Sequence, residues 1–405
     1  MRRRRLVIVG LFGTGNLGDD LLLHNAVEIL AELGVKREEI EVLSFGSRVN
    51  KVYQGIAHDI SARSKWVVPF QIFRMLKSII RADIVVYVPG GFLNDRQTRA
   101  RLLWWMVPSI LCVALRKKCV WVGLGVSHSF KDPLIRTVTR FVGKRLSCIV
   151  VRDNLSKERL VALGIPNSKV RVGADLAWLS VREVLHLSMQ KLQGAKTKER
   201  PVVGISFINY PREYSIKEAQ AEENFRKELA ERVVSFIKQL REEGYDIVII
   251  NTTSCDYELG NQLSRTVYER YGITVLSRYT TVHQELFNEI ASVDVIVAMR
   301  FHANIFSIML GVPVVPVVYE DKVGELVREL GLDEYAVEYR DFEKGLKGGV
   351  PVEEIIAKVK YVSSLRPQIC ERLKEAAQLM YQRVRVNVEA LKIYLQPEGE
   401  NAGSY

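Results

Sequence analysis

Cysteine and histidine are scarce in this chain of 405 residues, which contains five of the first and six of the second. The cysteines stand at positions 112, 119, 148, 255 and 370, and no pair has the spacing of zinc ligands or of a redox motif. An odd number of thiols scattered over a long chain does not describe a disulfide framework either. The sequence therefore predicts reduced, mostly buried thiols in a cytosolic protein, and it shows no cluster of metal ligands.

Long apolar runs are also missing. Residues 6–9 follow a group of arginines, but this run is too short for the core of a signal peptide and glycines follow it at once. Residues 102–115 lie between basic residues and fall short of the roughly 18 to 20 residues that cross a bilayer. We expect this second run to form a buried helix beside a sheet. The alternative is a peripheral contact with the inner face of a membrane, with Trp104 and Trp105 at the interface.

Acidic residues are fewer than basic ones, 47 against 58, and the formal net charge is +11. Such an excess favours anionic partners, among them phosphorylated metabolites, nucleotide sugars and acidic membranes. Nucleic acid is not expected, because neither a zinc-finger pattern nor a pattern of stacking aromatics accompanies the charge.

Short runs typical of β-strands alternate with helical patterns in both halves of the chain. In the first half, strands are predicted at residues 6–9, 41–45, 84–88, 119–122, 148–151 and 170–172, and helices at 21–33, 69–80, 98–115, 133–143 and 155–163. After a polar, Lys-rich stretch at 188–200, strands are predicted at 202–207, 246–251, 274–276, 293–298 and 312–318, and helices at 225–243, 258–271, 281–291, 302–310 and 367–395. This alternation indicates parallel sheets with helices on both faces.

We therefore predict an α/β protein with two Rossmann-like domains that face a cleft. The N-terminal domain is expected at residues 1–187 and the C-terminal domain at 201–365, joined by the polar stretch as a linker and followed by a C-terminal helix at 366–395. Ligands of open α/β sheets bind at the carboxyl ends of the strands. The loops that follow the predicted strands are thus where a site is expected.

The loop after the first predicted strand contains Gly13, Gly15 and a third glycine in the pattern G-x-G-x-x-G. This pattern is typical of dinucleotide sites. However, Asp19 and Asp20 would crowd the helix N-terminus where a pyrophosphate binds, and the second strand lacks an acidic residue for a ribose. We therefore expect neither NAD nor another cofactor. Asn16 and Asp19 are left at the turn, either to bind a sugar hydroxyl or to cap the helix.

Three other strand ends carry candidate ligand contacts. Gly90 and Gly91 follow the third predicted strand, where paired glycines let a ligand or another backbone approach closely, although a plain turn would also use them. Arg152 follows the fifth strand, next to an aspartate with which it could form an ion pair at the surface. Tyr319 and Lys322 follow the last strand, again where a parallel sheet presents ligands.

The most informative loop follows the predicted strand at residues 293–298. Arg300 and His302 stand two positions apart where an apolar helix begins. Backbone N–H groups, a guanidinium and an imidazole are thereby expected in one place, and an anion is the ligand that such a place favours. Because imidazole changes charge near neutral pH, we assign His302 a functional rather than a structural role.

Eight short pieces of the chain, taken in order, resemble the polysaccharide pyruvyl transferase family, whose bacterial members include the enzymes that pyruvylate cell-wall polymers. The pieces are GTGNLGD at 13–19, GG at 90–91, GLG at 123–125, VRD at 151–153, GAD at 173–175, MRFHA at 299–303, GVP at 311–313, and Tyr319 with Lys322. The resemblance implies a fold of the two-domain glycosyltransferase type, known as GT-B. It also implies transfer of the enolpyruvyl group of phosphoenolpyruvate to two sugar hydroxyls, with a cyclic ketal and phosphate as products.

The same resemblance implies roles for individual residues. Arg300 and His302 match the family's motif for phosphoenolpyruvate, with Arg152 as a second anion contact. The chemistry assigns proton transfer to His302, and it allows Asp19 to orient or deprotonate the acceptor hydroxyl from the opposite domain. Phosphoenolpyruvate is then a co-substrate rather than a cofactor, no metal is needed, and the acceptor is a sugar of a cell-surface, lipid-linked or nucleotide-linked glycan.

Two other functions are compatible with the same pattern. A glycosyltransferase of this fold would use a nucleotide sugar and would hold its ribose with an acidic residue late in the second domain, for which Glu320 and Asp321 are candidates. A carbohydrate- or anion-binding protein without activity would keep only the scaffold.

Overall fold

The computed structural model describes residues 4–49, 56–61, 66–94, 98–126, 132–184, 199–209, 219–339 and 351–396. The chain forms two compact units, one of Met1–Leu179 with Met380–Tyr405 and the other of Ser180–Leu379. Most of the predicted linker at residues 188–200 lies outside the described residues. Within the described ranges, no helix combines the length and the hydropathy that crossing a membrane requires.

The first unit is built on a seven-stranded parallel sheet with the strand order β3-β2-β1-β4-β5-β6-β7. Its strands are β1 (Leu6–Gly10), β2 (Ile40–Ser44), β3 (Ala57–Asp59), β4 (Ile84–Val88), β5 (Lys118–Leu124), β6 (Cys148–Val151) and β7 (Val170–Val172). Its helices are α1 (Leu17–Glu32), α2 (Val68–Arg81), α3 (Arg99–Ala114), α4 (Pro133–Gly143) and α5 (Asn154–Ala162). The central strands are buried along their whole length, as their continuous apolar runs predict.

The core of the first unit contains a cluster of aromatic side chains. Tyr87 on β4 packs against Phe92 and Trp121, and the Phe92 ring meets Trp105 of α3 edge-on at a centroid distance of 6.1 Å. The apolar run at 102–115 lies almost entirely on α3, and most of its side chains are buried or partly buried beside the sheet, as expected. Trp105 is buried, and the half-buried Trp104 donates a hydrogen bond from Nε1 to the carbonyl of Ile60 at 3.1 Å.

The second unit is built on a six-stranded parallel sheet with the order β10-β9-β8-β11-β12-β13. Its strands are β8 (Val202–Ser206), β9 (Asp246–Asn251), β10 (Leu276–Tyr279), β11 (Val295–Ala298), β12 (Val314–Val318) and β13 (Val337–Glu338). Its helices are α6 (Ala219–Glu242), α7 (Ser254–Tyr271), α8 (His283–Ala291), α9 (Phe301–Met309), α10 (Asp321–Glu329) and α11 (Val352–Ser364). In both sheets the strand order reverses beside the first strand, which places the best ligand positions at the neighbouring strand ends.

The last helix, α12, spans Arg366–Leu395, and its final half belongs to the first unit. There Asn387 is fully buried, accepts a hydrogen bond from the N–H of Gly123 at 3.0 Å and donates one to the carbonyl of Ala174 at 3.1 Å. The end of the chain thus satisfies two backbone groups that lie far away in the sequence.

The predicted α/β fold with two parallel sheets and a long C-terminal helix is confirmed, and most element ends agree within a few residues. The errors lie at the edges of the sheets. Strands β3 and β13 were not predicted, and the strand expected at 274–276 lies instead at Leu276–Tyr279. All three are edge strands, which are paired on one side only and so need no continuous apolar run. The helices α10 and α11 were not predicted either.

Candidate active site

The loop after β1 folds back on its own chain. A Cβ atom on Gly13 would lie 2.2 Å from the backbone nitrogen of Val49, and the φ angle of this glycine is +67°. The carbonyl of Gly13 accepts a hydrogen bond from the N–H of Arg48 at 3.1 Å, and its N–H donates to Oδ1 of Asp20 at 2.5 Å. The glycine at position 13 is thus required by the protein's own backbone. Gly15, with a φ angle of +87°, completes the turn into α1.

Asn16, Asp19 and Asp20 have different tasks at the start of α1. Asn16 is the N-cap residue and accepts a hydrogen bond from the N–H of Gly18 at 3.1 Å. Its Nδ2 donates to Oδ2 of Asp19 at 2.8 Å. Burial raises the pKa of the Asp20 carboxyl, and the hydrogen bond from Gly13 opposes this effect. Asp20 therefore stabilises the loop through its hydrogen bond with Gly13, whereas Asp19 contacts the N-cap residue Asn16.

Asp19 also lies next to the paired glycines that follow β4. Gly90 has a φ angle of +55°, and a Cβ atom on it would lie 3.8 Å from Oδ1 of Asp19. A Cβ atom on Gly91 would lie 3.8 Å from Nη1 of Arg152. The structure therefore brings together four of the predicted site residues, Asp19, Gly90, Gly91 and Arg152, at the carboxyl ends of β1, β4 and β6.

Arg152 is held from several sides. Only 6% of its side chain is exposed, its Nε lies 3.1 Å from Oδ2 of Asp153, and its Nη1 lies 3.9 Å from Oδ2 of Asp175. Its guanidinium packs flat against the backbone after β5, where a Cβ atom on Gly125 would lie 2.3 Å from Cζ. The pair with Asp153 that the sequence suggested at the surface is therefore buried. Two carboxylates fix the orientation of this guanidinium and balance its charge.

In the second unit, the buried strand β11 leads into α9 through Arg300. Arg300 is the N-cap residue of α9 and makes no side-chain hydrogen bond to the first turn of the helix. The helix itself is apolar and almost entirely buried, so its N-terminus has a fixed direction. A helix N-terminus with this environment attracts a negative charge.

Asp256, from the start of α7, binds the Arg300 guanidinium in a bidentate ion pair. Nε of Arg300 donates to Oδ2 at 2.7 Å, and Nη2 donates to Oδ1 at 2.8 Å. Oδ1 also accepts the N–H of Asn209 at 2.8 Å, and the Asp256 N–H donates to Oγ1 of Thr253 at 3.2 Å. The two charged side chains are 8% and 1% exposed. The pair is thus a buried, multiply bonded unit that links the ends of β8, β9 and β11.

His302 lies in the first turn of α9 between two aromatic rings. Its imidazole stacks on Phe306 at a centroid distance of 5.9 Å and an angle of 20°, and it meets Phe301 edge-on at 5.5 Å. The side chain is half-buried. Because the aromatic rings confine the imidazole plane, the direction in which its nitrogens point is limited.

Tyr319 and Lys322 lie at the end of β12, the strand that neighbours β11. Lys322 is in the first turn of α10, and its Nζ lies 3.1 Å from Oε2 of Glu320 and 5.9 Å from the centroid of the Tyr319 ring. Tyr319 is buried. These residues therefore form a second group in the same unit as Arg300 and His302, at the adjacent strand end.

Two carboxylates of these sites were missed by the sequence reasoning. Asp175 appeared only as part of a resembling piece, and Asp256 was not considered. The signal for Asp256 was present: Thr253 and Asp256 follow the predicted strand at 246–251 with the spacing of a capping box. In the sheet, that strand is separated from the strand before Arg300 by β8 alone, so an acidic residue that follows it can lie near Arg300 at the carboxyl ends of the strands.

Comparison with known proteins identifies the family. The sequence model described as polysaccharide pyruvyl transferase matches residues 16–321, which is most of the chain. This chain belongs to the polysaccharide pyruvyl transferase family. The match includes Arg152, Arg300 and His302. Gly13 and Gly15 lie just before it.

One curated relative and two solved structures extend this result. The amylovoran biosynthesis protein AmsJ of Erwinia amylovora is 25% identical over 327 residues, which cover 77% of this chain and 72% of the relative. Anabaena HepE in complex with UDP superposes with a TM-score of 0.56 at 12% identity, covering 96% of this chain and 99% of that one. The UDP-GlcNAc 2-epimerase of Neisseria meningitidis bound to UDP-GlcNAc gives a TM-score of 0.61 at 12% identity, with the same coverage. These likenesses confirm the GT-B-like fold of this pyruvyl transferase family member.

Proposed function

We propose that this member of the family transfers the enolpyruvyl group of phosphoenolpyruvate to two hydroxyls of a glycan sugar, with a pyruvate ketal and phosphate as products. The observation that carries the proposal is the position of Arg300 at the N-cap and of His302 in the first turn of α9, at the end of a buried strand, in a chain that matches the pyruvyl transferase family. The relative AmsJ, by its name a protein of amylovoran biosynthesis, supports a polysaccharide as the destination of the sugar.

The donor is a small dianion or trianion, and the second unit supplies what such a ligand needs. In our proposal the N-terminus of α9 and the guanidinium of Arg300 attract the carboxylate or the phosphate. Asp256 positions that guanidinium, because its two hydrogen bonds fix the plane in which the nitrogens lie. Lys322 and Tyr319, at the neighbouring strand end, are proposed as further contacts to the donor.

His302 is proposed as the acid and base of the reaction. Addition of a proton to the C3 methylene carbon of phosphoenolpyruvate places positive charge on C2, and a sugar hydroxyl attacks C2 and loses its proton. The C2–O bond to phosphate then breaks, and a second hydroxyl attacks C2 and releases its proton as the ketal closes. Imidazole is suited to such transfers near neutral pH, and a positioned acid or base contributes about a hundred- to ten-thousand-fold to a rate.

The first unit is proposed to bind the acceptor. Asp19, fixed by Asn16 and lying beside Gly90, offers a carboxylate that can accept a hydrogen bond from a sugar hydroxyl and take up its proton. Gly91 leaves room for a sugar ring to approach the backbone. Arg152 is proposed as an anion contact in this unit, with Asp153 and Asp175 fixing its orientation.

Phosphate release from phosphoenolpyruvate tests the proposal, with a panel of sugars, nucleotide sugars and lipid-linked sugars as acceptors. We expect release that depends on one acceptor class and falls by about a hundredfold or more in His302→Gln. The matched control is His283→Gln, since His283 is also half-buried in the first turn of a helix of the second unit. It should leave the rate unchanged. No binding of phosphoenolpyruvate and no release with any acceptor would contradict the proposal.

A nucleotide-sugar glycosyltransferase is the second candidate, favoured by the fold of HepE, whose solved structures contain UDP and UDP-glucose. From the sequence, the acidic residues with which such an enzyme would bind a ribose are Glu320 and Asp321. Glu320 is buried and lies 3.1 Å from the Lys322 ammonium. Release of a nucleoside diphosphate from a nucleotide sugar, without consumption of phosphoenolpyruvate, would decide for this candidate.

A further inference from the structure

Helix α2 exposes large apolar side chains to solvent. Trp66, just before the helix, is 82% exposed, Phe70 is 57% exposed, Phe73 64% and Ile80 51%. Phe70, Phe73 and Ile80 share one face of the helix, because their spacings of three and seven residues correspond to one and two helical turns. We call these four residues the α2 apolar face.

The opposite side of α2 faces the protein and is less apolar than a buried helix face usually is. Its buried residues include Gln71, Met75 and Ser78, and Ser78 donates a hydrogen bond from Oγ to Oε1 of Glu41 at 2.6 Å. The helix therefore buries two polar residues beside Met75 and Ile79, and it exposes four large apolar ones, since Ile72 is also 39% exposed. Contiguous exposed apolar surface of this kind marks an interaction site.

The three helices at and beside the α2 apolar face carry only basic charged residues, whereas Asp83 lies just after α2 and Asp132, just before α4, pairs with Arg99. Within α2, α3 and α4, which pack side by side, there are seven basic residues and no Asp or Glu. On α2 itself the Arg74 guanidinium lies over the Phe70 ring at 4.8 Å, and Lys77 stands on the same helix face as Phe73. On α4, Phe141 is 46% exposed, and the Arg145 guanidinium lies 4.0 Å from the centroid of its ring.

We propose that the α2 apolar face binds the surface of an anionic lipid bilayer. Aromatic and aliphatic side chains would enter the boundary between headgroups and acyl chains, while Arg74, Lys77 and Arg81 contact the acidic headgroups. A second copy of this chain fits less well, since a two-fold contact would set the same positive charges against one another. The tryptophans considered in the sequence reasoning, Trp104 and Trp105, have no part in this surface.

This inference goes beyond the proposed function and does not rest on it. It gives the first unit a peripheral position at a membrane, where a lipid-linked glycan would be within reach. Its test measures membrane binding without turnover. A failure of the membrane proposal therefore does not contradict the proposed pyruvyl transfer, and the reverse also holds.

Co-sedimentation with vesicles tests the proposal on the full chain. The vesicles are of phosphatidylcholine alone or of phosphatidylcholine mixed with an equal amount of phosphatidylglycerol. We expect binding to the anionic vesicles that weakens as salt is added. In the double variant Phe70→Ser/Phe73→Ser, binding should fall by at least about tenfold, and in Lys77→Glu/Arg81→Glu by about twenty-five-fold or more.

The matched control is Tyr268→Ser/Leu276→Ser, which removes two side chains of similar exposure, 62% and 52%, from the second unit. It should bind vesicles as the parent does. Equal binding by the Phe70→Ser/Phe73→Ser variant, or no binding by the parent, would overturn the proposal. A third result would also overturn the proposal: the parent is dimeric in sedimentation velocity and does not bind vesicles, whereas the Phe70→Ser/Phe73→Ser variant is monomeric. The α2 apolar face would then join two copies of the chain.

Discussion

Asp256 accepts two hydrogen bonds from Arg300, one from Nε at 2.7 Å and one from Nη2 at 2.8 Å, with both side chains buried. Arg152 in the first unit is similarly flanked by Asp153 and Asp175. The two arginines that were expected to bind anions are therefore neutralised and oriented by the protein. A ligand at either place would meet a guanidinium whose direction is already fixed, so less side-chain entropy is lost on binding.

The Arg300–Asp256 pair predicts the effect of Asp256→Asn. The variant leaves a buried guanidinium without a compensating charge, and breaking a buried pair in this way destabilises a protein by about 3 kcal/mol. We expect a lower free energy of unfolding in urea and a loss of phosphate release. Glu231→Gln, which breaks the exposed pair with Arg270, is the control and should leave the unfolding curve unchanged. Identical curves for the two variants would show that Asp256 is not needed for stability.

Two glycines that border the same guanidinium should respond differently to alanine. In Gly125→Ala the new methyl would lie 2.3 Å from Cζ of Arg152 and must displace it, at about 1–3 kcal/mol in stability. In Gly91→Ala the methyl would lie 3.8 Å from Nη1, which is an ordinary contact. We expect thermal unfolding to separate the two variants. If Gly91→Ala folds as the parent does but loses activity, the space at Gly91 is used by substrate.

Asp20 predicts a dependence of stability on pH. Burial raises the folded-state pKa of this carboxyl above its usual value, so its ionised form is disfavoured in the folded protein. Asp20→Asn keeps an acceptor for the N–H of Gly13 and removes the charge. The variant should be more stable than the parent at neutral pH, and this advantage should shrink to nothing as the pH falls below the unfolded-state pKa of about 3.9. Urea unfolding of both proteins at several pH values between neutral and acidic measures this difference in stability. A parent that is more stable than the variant at neutral pH would contradict the prediction.

Asn387 predicts a large effect far from either site. Asn387→Leu removes the partners of the Gly123 N–H and the Ala174 carbonyl, both buried, and each unsatisfied group costs about 1–3 kcal/mol. We expect the variant to have a lower midpoint of thermal unfolding than the parent, as measured by circular dichroism. Gln382→Leu, at an exposed position of the same helix, is the control. Equal midpoints for the two variants would contradict this account.

The sequence predicts the central strands better than the edges for a physical reason. β4 and β6 are covered on both faces and must be continuous apolar runs, so their predicted bounds agree with the structure. β10 is an edge strand whose residues alternate between exposed and half-buried, so no continuous apolar run marks its bounds. A strand that pairs on one side only is defined by its neighbour more than by its own residues.

The sequence predicted which loops carry the candidate sites, but it did not predict which charged side chains pair there. The motif at Arg300 and His302 identified one strand end, whereas Asp256 lies 44 residues away and meets Arg300 through the pairing of three strands. Helix α2 shows a second limit. It carries apolar residues on two faces, and only the packing of the unit decides that Met75 is buried and Phe73 exposed.

The return of α12 to the first unit limits how early that unit can be finished during synthesis. Its seventh strand, β7, is translated by residue 172, but Asn387 is added 213 residues after its partner Ala174. At roughly 5–20 residues per second, the ribosome needs on the order of ten seconds or more for this interval. During this interval the Gly123 N–H can donate only to water. A chain released before Asn387 is added would have a first unit that proteases cleave more easily.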